Sequence, residues 1–242
     1  METLTKDFEL PSQGLFGGPK KVTVRPMTTK EEKMIYTARD SSFIDKIVKS
    51  CIVEPADINM DLLHAQDITY LLYMIREMTF GPNYKQTMQC PYCNLKQDIE
   101  IDITEMTYDV LELDGLDEKL KVTLPVCGDT IQLKLLSQGE FNEISETIKR
   151  MNRQNKLSDP EGYEYIYRFA KMVKAINEEE KTDIKEVISY LENLNMRDFG
   201  TIKNALSNIP MGINTLNIRT CKSCGEEVEV FGAAVPEFFR TN

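Results

Sequence analysis

The sequence has few of the residues on which catalytic and nucleotide-binding sites depend. His64 is the only histidine among 242 residues, so a histidine metal centre or a catalytic relay would depend wholly on it. It stands at a predicted helix start with no neighbour at triad or ligand spacing, which favours a surface or satisfied core role. No Gly-x-x-x-x-Gly-Lys-Ser/Thr or Gly-x-Gly-x-x-Gly run occurs, so nucleotide binding has no motif. The sequence predicts a protein that is not an enzyme.

Long hydrophobic runs are also missing. No apolar stretch approaches the roughly 20 residues that cross a bilayer, and Met1–Asp7 contains no apolar signal-peptide core. We therefore expect a protein made in a reducing cytoplasm, without a membrane partner. Close cysteine pairs in that compartment are more often metal sites than disulfides.

Positive charge is scarce as well. Lys and Arg number 29 against 39 Asp and Glu, which gives a formal net charge of −10. A duplex nucleic-acid binder neutralises phosphates with Lys and Arg, so this balance argues against such a partner. With 41% hydrophobic and 28% charged residues, the chain is an ordinary globular sequence, long enough to bury a core.

Two Cys-x-x-Cys pairs carry the strongest chemical signal. Cys90–Cys93 and Cys221–Cys224 each lie in the turn of a predicted β-hairpin, and two such knuckles supply the ligands of a closed structural zinc site. We predict one structural zinc ion held by four thiolates, Cys90, Cys93, Cys221 and Cys224. Metal-free hairpin turns, or a disulfide formed on oxidation, are the alternatives. Cys51 and Cys127 are predicted to be small buried residues without chemistry.

Two passages of the chain share one order of signals. Each reads as strand, Leu-Pro-x-x-Gly turn, strand and capping box, and they cover Phe8–Glu31 and Val122–Glu140. Each knuckle follows a glycine by nine residues, Gly81 or Gly212, and precedes an alternating strand. We infer an α+β fold made of two hairpin–helices–knuckle-hairpin repeats, joined by a split zinc-ribbon-like site of four cysteines.

The repeats set the predicted domain boundaries. They are residues 1–103 for the N-terminal repeat, 104–119 for an acidic connector, 120–232 for the C-terminal repeat and 233–242 for a C-terminal arm. Apolar periodicity predicts helices within Lys30–Ser50, Ile68–Met78, Gly139–Asn152, Tyr163–Glu178 and Lys181–Asn195. We expect the Ile68–Met78 helix to be buried because it is largely apolar.

The first half resembles the T-even-type bacteriophage baseplate protein family. The resemblance lies in Leu10–Gly14, Val22–Met34, Cys51-Ile52, the run Asp67–Arg76 and Gly81 before Cys90-x-x-Cys93. It implies a baseplate hub component, or a factor that helps to assemble the hub, in a contractile-tailed phage. The implied partners are other baseplate or tail proteins in a hetero-oligomeric assembly. The implied location is the virion tail, after assembly in the bacterial host cytoplasm.

The alternative is a zinc-ribbon protein that binds nucleic acid or regulates transcription. Such ribbons are rich in Lys, Arg and exposed aromatic residues, whereas the strands after these knuckles alternate apolar residues with Glu and Asp. We therefore predict function by docking. The loop Gly14–Lys21 and the Phe238-Phe239 arm would contact neighbouring proteins, with docking of the arm on the protein's own core as the alternative.

Overall fold

The chain folds into helices and small antiparallel sheets. The computed structural model describes residues 4–37, 43–154, 156–232 and 236–239, and these ranges contain eight α-helices and five sheets. The predicted α+β class is confirmed.

The N-terminal half begins with a three-stranded sheet and ends with a hairpin. Its strands are β1 (Lys6–Glu9), β2 (Lys21–Val24) and β3 (Ile52–Glu54), in the order β1-β2-β3. Two helices connect β2 to β3, namely α1 (Thr29–Thr37) and α2 (Phe43–Cys51). The long helix α3 (Ala65–Phe80) then leads into the first knuckle hairpin, made of β4 (Asn83–Gln89) and β5 (Lys96–Asp102).

The predicted connector, residues 104–119, contains two short elements, β6 (Tyr108–Asp109) and α4 (Leu116–Lys119). The C-terminal half then has a four-stranded sheet, β10-β9-β8-β7. Its elements are β7 (Lys121–Thr123), β8 (Thr130–Leu133), α5 (Gln138–Arg153), α6 (Pro160–Met172), β9 (Val173–Ile176), β10 (Glu179–Glu180), α7 (Ile184–Glu192) and α8 (Met196–Ser207). A short strand β11 (Gly212–Ile213) pairs with β6, and β12 (Leu216–Thr220) with β13 (Glu227–Phe231) forms the second knuckle hairpin. A 3-10 turn, Pro236–Phe239, follows.

Helix starts follow the predicted caps. Ser137 and Glu140 form the predicted capping box of α5. For α7 the sequence offers Thr182 or Asp183 as the cap, and the Asp183 side chain caps the helix. His64, placed at a predicted helix start, is the N-cap of α3. The predicted Lys30–Ser50 segment becomes α1 and α2, and its residues 38–42 lie outside the described ranges.

The predicted helix over Tyr163–Glu178 is wrong at its C-terminal end. Helix α6 stops at Met172, and Val173–Ile176 forms β9, which pairs with β8. Because the strand buries three of its four side chains in that sheet, strand pairing outweighs the helical periodicity of the segment.

Two main hydrophobic clusters form the core. The first surrounds α3 and contains six buried apolar residues of that helix, as expected for this apolar helix. It also takes in Val228 and Val230 of the second knuckle hairpin. The second cluster lies between the β7–β10 sheet and α6–α8. The second knuckle hairpin therefore packs on the N-terminal half, across the predicted boundary between the repeats.

The C-terminal aromatic pair packs inside the molecule. Phe238 is fully buried, with its ring centroid 4.9 Å from that of Tyr73 and 5.1 Å from that of Tyr84. Arg76 Nε donates to the Phe238 carbonyl at 3.2 Å. Of the two placements expected for Phe238 and Phe239, the structure shows docking on the protein's own core; the prediction that these rings contact neighbouring proteins is wrong, because the first cluster already covers them. Residues 233–235 and 240–242 of the predicted arm lie outside the described ranges.

Candidate metal centre

The first knuckle is a tight turn closed by its own backbone. Cys90 N–H donates to the Leu95 carbonyl at 2.9 Å, and Asn94 N–H donates to the Cys90 carbonyl at 2.9 Å. Asn94 has a φ of 60°, a left-handed conformation that Asn tolerates better than most residues. The turn thus presents both cysteine side chains at the end of the hairpin.

The second knuckle repeats this geometry. Cys221 N–H donates to the Glu226 carbonyl at 2.8 Å, and Gly225 N–H donates to the Cys221 carbonyl at 3.0 Å. Gly225 takes the left-handed position with a φ of 76°. The two turns therefore share the same backbone hydrogen bonds around their first cysteine.

The four sulfurs meet in one cluster. Cys90 Sγ lies 3.6 Å from Cys224 Sγ, and Cys93 Sγ lies 3.5 Å from Cys221 Sγ. All four sulfurs lie within 4.8 Å of one another. Tetrahedral coordination with bonds of about 2.3 Å would separate sulfurs by about 3.8 Å, while a disulfide needs about 2.05 Å. The cluster fits a tetrahedral metal ion, and all four thiols are free in this structure.

The surroundings of the sulfurs favour ionisation at one ligand. Backbone N–H groups of Cys224 and Ser223 donate to Cys221 Sγ and lower the pKa of that thiol. The Glu226 N–H lowers the pKa of Cys224, but desolvation and the three neighbouring thiols outweigh it and raise that pKa. Four sulfurs this close cannot all carry negative charge without a cation, and a metal ion bound by them would supply it.

A polar side chain links the two knuckles independently of the thiols. Gln97 of β5 is buried; its Oε1 accepts from Lys222 N–H at 2.9 Å, and its Nε2 donates to the Thr220 carbonyl at 3.3 Å. No role was predicted for Gln97 from the sequence. Its signal was a polar residue on the inward face of an otherwise alternating strand.

The remaining cysteines and the histidine lie apart from the cluster. Cys51 is buried as predicted, and burial raises the pKa of its thiol to about 12. Cys127 is exposed, so the prediction that it is buried is wrong; its N–H instead bonds the Asp198 carboxylate. His64 Nδ1 accepts from Gln66 N–H at 3.1 Å, and burial lowers its pKa, which is the structural role expected for it.

No other cluster of this kind occurs in the described part of the chain. The four cysteines are the only group there of three or more His, Cys, Asp or Glu side chains placed to hold one ion. Among the described helices, none is both long enough and apolar enough to cross a bilayer. The fold and the cysteine cluster thus define an α+β scaffold with one candidate metal centre.

Comparison with protein families identifies the scaffold. The family described as "T4 bacteriophage base plate protein" matches residues 1–240. The chain belongs to this family, and the predicted resemblance is confirmed. Comparisons with curated proteins and with solved structures find no match.

Proposed function

We propose that this chain is a non-enzymatic structural or assembly protein of the hub region of a contractile-tailed phage baseplate. The family match over residues 1–240 is the observation that carries this proposal. The protein would act by docking to other tail proteins through a rigid scaffold. It would be located in the virion tail after assembly in the host cytoplasm.

We propose further that Cys90, Cys93, Cys221 and Cys224 hold one structural zinc ion. Support comes from the sulfur-only ligand set and from the sulfur spacing. Thiolate ligands in tetrahedral arrangement select zinc over harder cations. Four protein ligands leave no open position for water or substrate, so the ion would hold shape and supply no catalysis.

The tandem repeat remains part of the proposal, and paired contacts support it. Arg25 bonds Glu31 at 3.0 Å, and Lys134 bonds Glu140 at 2.5 Å. In each pair the basic residue directly follows a strand, β2 or β8, and the glutamate is the third residue of the next helix, α1 or α5. Strand β2 pairs with β3, which follows α1 and α2, and β8 pairs with β9, which follows α5 and α6. In both pairs the register shifts just before the last residue of the first strand.

A second set of equivalences lies nearer the knuckles. Helices α3 and α8 begin 131 positions apart, and the same offset separates the glycines Gly81 and Gly212 and the two knuckles. Both glycines have positive φ, 84° and 97°. We therefore keep the boundaries 1–103, 104–119, 120–232 and 233–242 as our proposed division. The zinc would then fix the pose of one repeat against the other.

The nucleic-acid alternative gains no support from the second knuckle hairpin. Glu227 and Glu229 are exposed there, and carboxylates repel phosphates.

Mass spectrometry of purified virions and of assembly intermediates, combined with zinc quantification, tests this function. We expect the chain in baseplates or baseplate intermediates, with one zinc per chain. Absence from both, together with salt-sensitive binding to duplex DNA, would overturn the baseplate role. Less than one zinc per chain in freshly purified protein would overturn the clasp.

A further inference from the structure

The second knuckle hairpin exposes three large apolar side chains on one face. Leu216 lies directly opposite Phe231, and Ile218 follows Leu216 by two residues, so all three point to the same side of the ribbon. Their exposed fractions are 38% for Leu216, 57% for Ile218 and 61% for Phe231. The opposite side carries Val228 and Val230, which are buried in the first cluster. We call Leu216, Ile218 and Phe231 the apolar patch.

The first knuckle hairpin is an internal comparison for this patch. Counted from the cysteines, the equivalent positions are Lys85, Thr87 and Glu100. Lys85 and Glu100 lie opposite each other, as Leu216 and Phe231 do. All three polar side chains belong to a strand pair of the same type, ending in the same turn. A knuckle hairpin of this fold therefore does not need apolar residues on its outer face.

Apolar residues clustered on an exposed face carry a cost in solubility and are typical of binding surfaces. Since the hairpin geometry does not require them, recognition is the physical explanation for the apolar patch. Aromatic and branched aliphatic side chains of this kind form the buried anchors of protein interfaces.

The charge around the patch limits what can cover it. Glu229 lies opposite Ile218, and Glu227 lies opposite Thr220, with both carboxylates exposed on the same face. The whole chain has a formal net charge of −10. A second copy would bring the same carboxylates and the same excess of negative charge to the contact. A partner with Lys or Arg beside apolar side chains would complement both features.

We propose that the apolar patch docks onto another baseplate subunit, at a surface where apolar side chains are flanked by Lys or Arg. This inference rests on the proposed baseplate function and adds the surface and the chemistry of the partner.

Exchange of the patch for its counterpart gives a matched test. The triple variant Leu216→Lys, Ile218→Thr, Phe231→Glu carries the outer face of the first hairpin on the second. The control replaces Lys85, Thr87 and Glu100 by Ala. Each protein is supplied during infection by a phage that lacks the wild-type gene, and chain copies per baseplate or intermediate are counted by mass spectrometry. We expect incorporation of the patch variant to fall by about tenfold or more, with the control at the wild-type level.

Zinc content and far-ultraviolet circular dichroism of the purified proteins establish that both variants fold. Wild-type incorporation of a folded patch variant would overturn the docking surface and leave the baseplate function intact. Failure of the wild-type chain itself to enter any baseplate or intermediate would overturn the proposed function instead.

Cross-linking gives a test that does not depend on the triple variant. A photo-reactive amino acid at position 218 should form an adduct with a different baseplate subunit, within a segment that has apolar residues beside Lys or Arg. The same amino acid at position 87 should not reach that segment. Adducts only with a second copy of this chain, adducts with an acidic segment or no adduct at all would overturn the proposal.

Discussion

Asp67 and Asp198 hold equivalent turns in the two halves of the chain. Each is the third residue of its helix, α3 or α8, and each is buried. Asp67 Oδ1 accepts from Ser12 N–H at 2.8 Å, and Asp198 Oδ1 accepts from Val126 N–H at 2.8 Å. Both donors directly follow a Leu-Pro pair. The first turn of a helix in each half is thereby hydrogen-bonded to the Leu-Pro-x-x-Gly turn of the same half.

Replacing either carboxylate by an amide should destabilise the protein. Asp67→Asn places an N–H₂ group where one of two backbone N–H donors, Ser12 or His64, needs an acceptor. We expect a loss of about 1–3 kcal/mol in the free energy of unfolding, the cost of a buried unsatisfied donor. Asp198→Asn should give a loss of similar size. Urea denaturation measures both, with the exposed Asp114→Asn as control. A wild-type midpoint for Asp67→Asn would contradict this account.

Removing one thiol should release the metal and loosen the contact between the knuckles. Cys90→Ser and Cys224→Ser each take one ligand from a sulfur pair 3.6 Å apart. We expect zinc content to fall to a small fraction of one per chain, and a chelator to lower the melting temperature of the wild type but not of the variants. The exposed Cys127→Ser is the control. Full zinc retention by Cys90→Ser would rule out a four-cysteine site.

Gln97→Ala should weaken the knuckle contact without touching a ligand. The variant leaves Lys222 N–H and the Thr220 carbonyl without their side-chain partner. We expect about 1–3 kcal/mol of destabilisation and faster transfer of zinc to a chromophoric chelator, since hydrogen bonds around a metal site hold its ligands in place. Gln89→Ala, on an exposed position of β4, is the control. Equal zinc release from all three proteins would show that Gln97 supports the fold only.

Glu31 should make stability depend on pH in the acid range. Burial raises the pKa of Glu31, but hydrogen bonds from Arg25, Ser50 and Thr28 outweigh it and hold that pKa well below its usual value. A carboxyl group with a lowered folded-state pKa stabilises the fold above its unfolded pKa, about 4.3 for Glu, and this contribution is lost as pH falls below that value. The free energy of unfolding of the wild type should therefore fall more steeply below about pH 4 than that of Glu31→Gln.

The corresponding pair in the second half provides the control for that experiment. Glu140 bonds Lys134 at a partly exposed position, where ion pairs contribute only about 0–1 kcal/mol. Glu140→Gln should therefore change the acid slope less than Glu31→Gln does. Zinc loss on acidification acts on all the proteins and cancels in the differences. Parallel wild-type and Glu31→Gln curves would contradict the role assigned to Glu31.

Phe238 should contribute to stability from within the first cluster. Its ring is fully buried between Tyr73 and Tyr84, and truncation of such a ring costs about 3–5 kcal/mol. We expect Phe238→Ala to lose that amount in chemical denaturation. Phe231→Ala, at a side chain that is 61% exposed, should stay within about 0.5 kcal/mol of the wild type. Equal stability of the two variants would mean that the C-terminal turn does not dock in solution.

Local sequence signals predicted the parts of the fold that depend on neighbours in the chain. Ser137 with Glu140 and Asp183 mark helix starts because a cap bonds N–H groups two or three residues away. The Leu-Pro-x-x-Gly turns and the Cys-x-x-Cys knuckles are local in the same sense. Strand β9 was missed, since a short amphipathic segment does not reveal whether a sheet lies beside it. Helix α8 was missed as well.

The partners of buried polar and aromatic side chains could not be predicted from neighbouring residues. Asp67 reads as an ordinary first-turn acid, and Gln97 as one polar residue in a strand. Their partners, Ser12 and Lys222, lie 55 and 125 positions away. The sequence left open whether Phe238 and Phe239 dock on a partner or on the protein's own core, because their cover comes from α3 and β4, far earlier in the chain.

The sequence by itself determined the cysteine pairs, the turn chemistry of both knuckles and membership of a baseplate family, because these depend on residue identity and short spacing. Only the tertiary structure decided that the two knuckles face each other, with sulfurs of opposite knuckles 3.5 and 3.6 Å apart. It also decided that the second hairpin packs on the first half and leaves Ile218 and Phe231 outside. The physical reason is that burial of apolar area depends on which elements meet in space, whereas a cap or a turn is closed within a few residues.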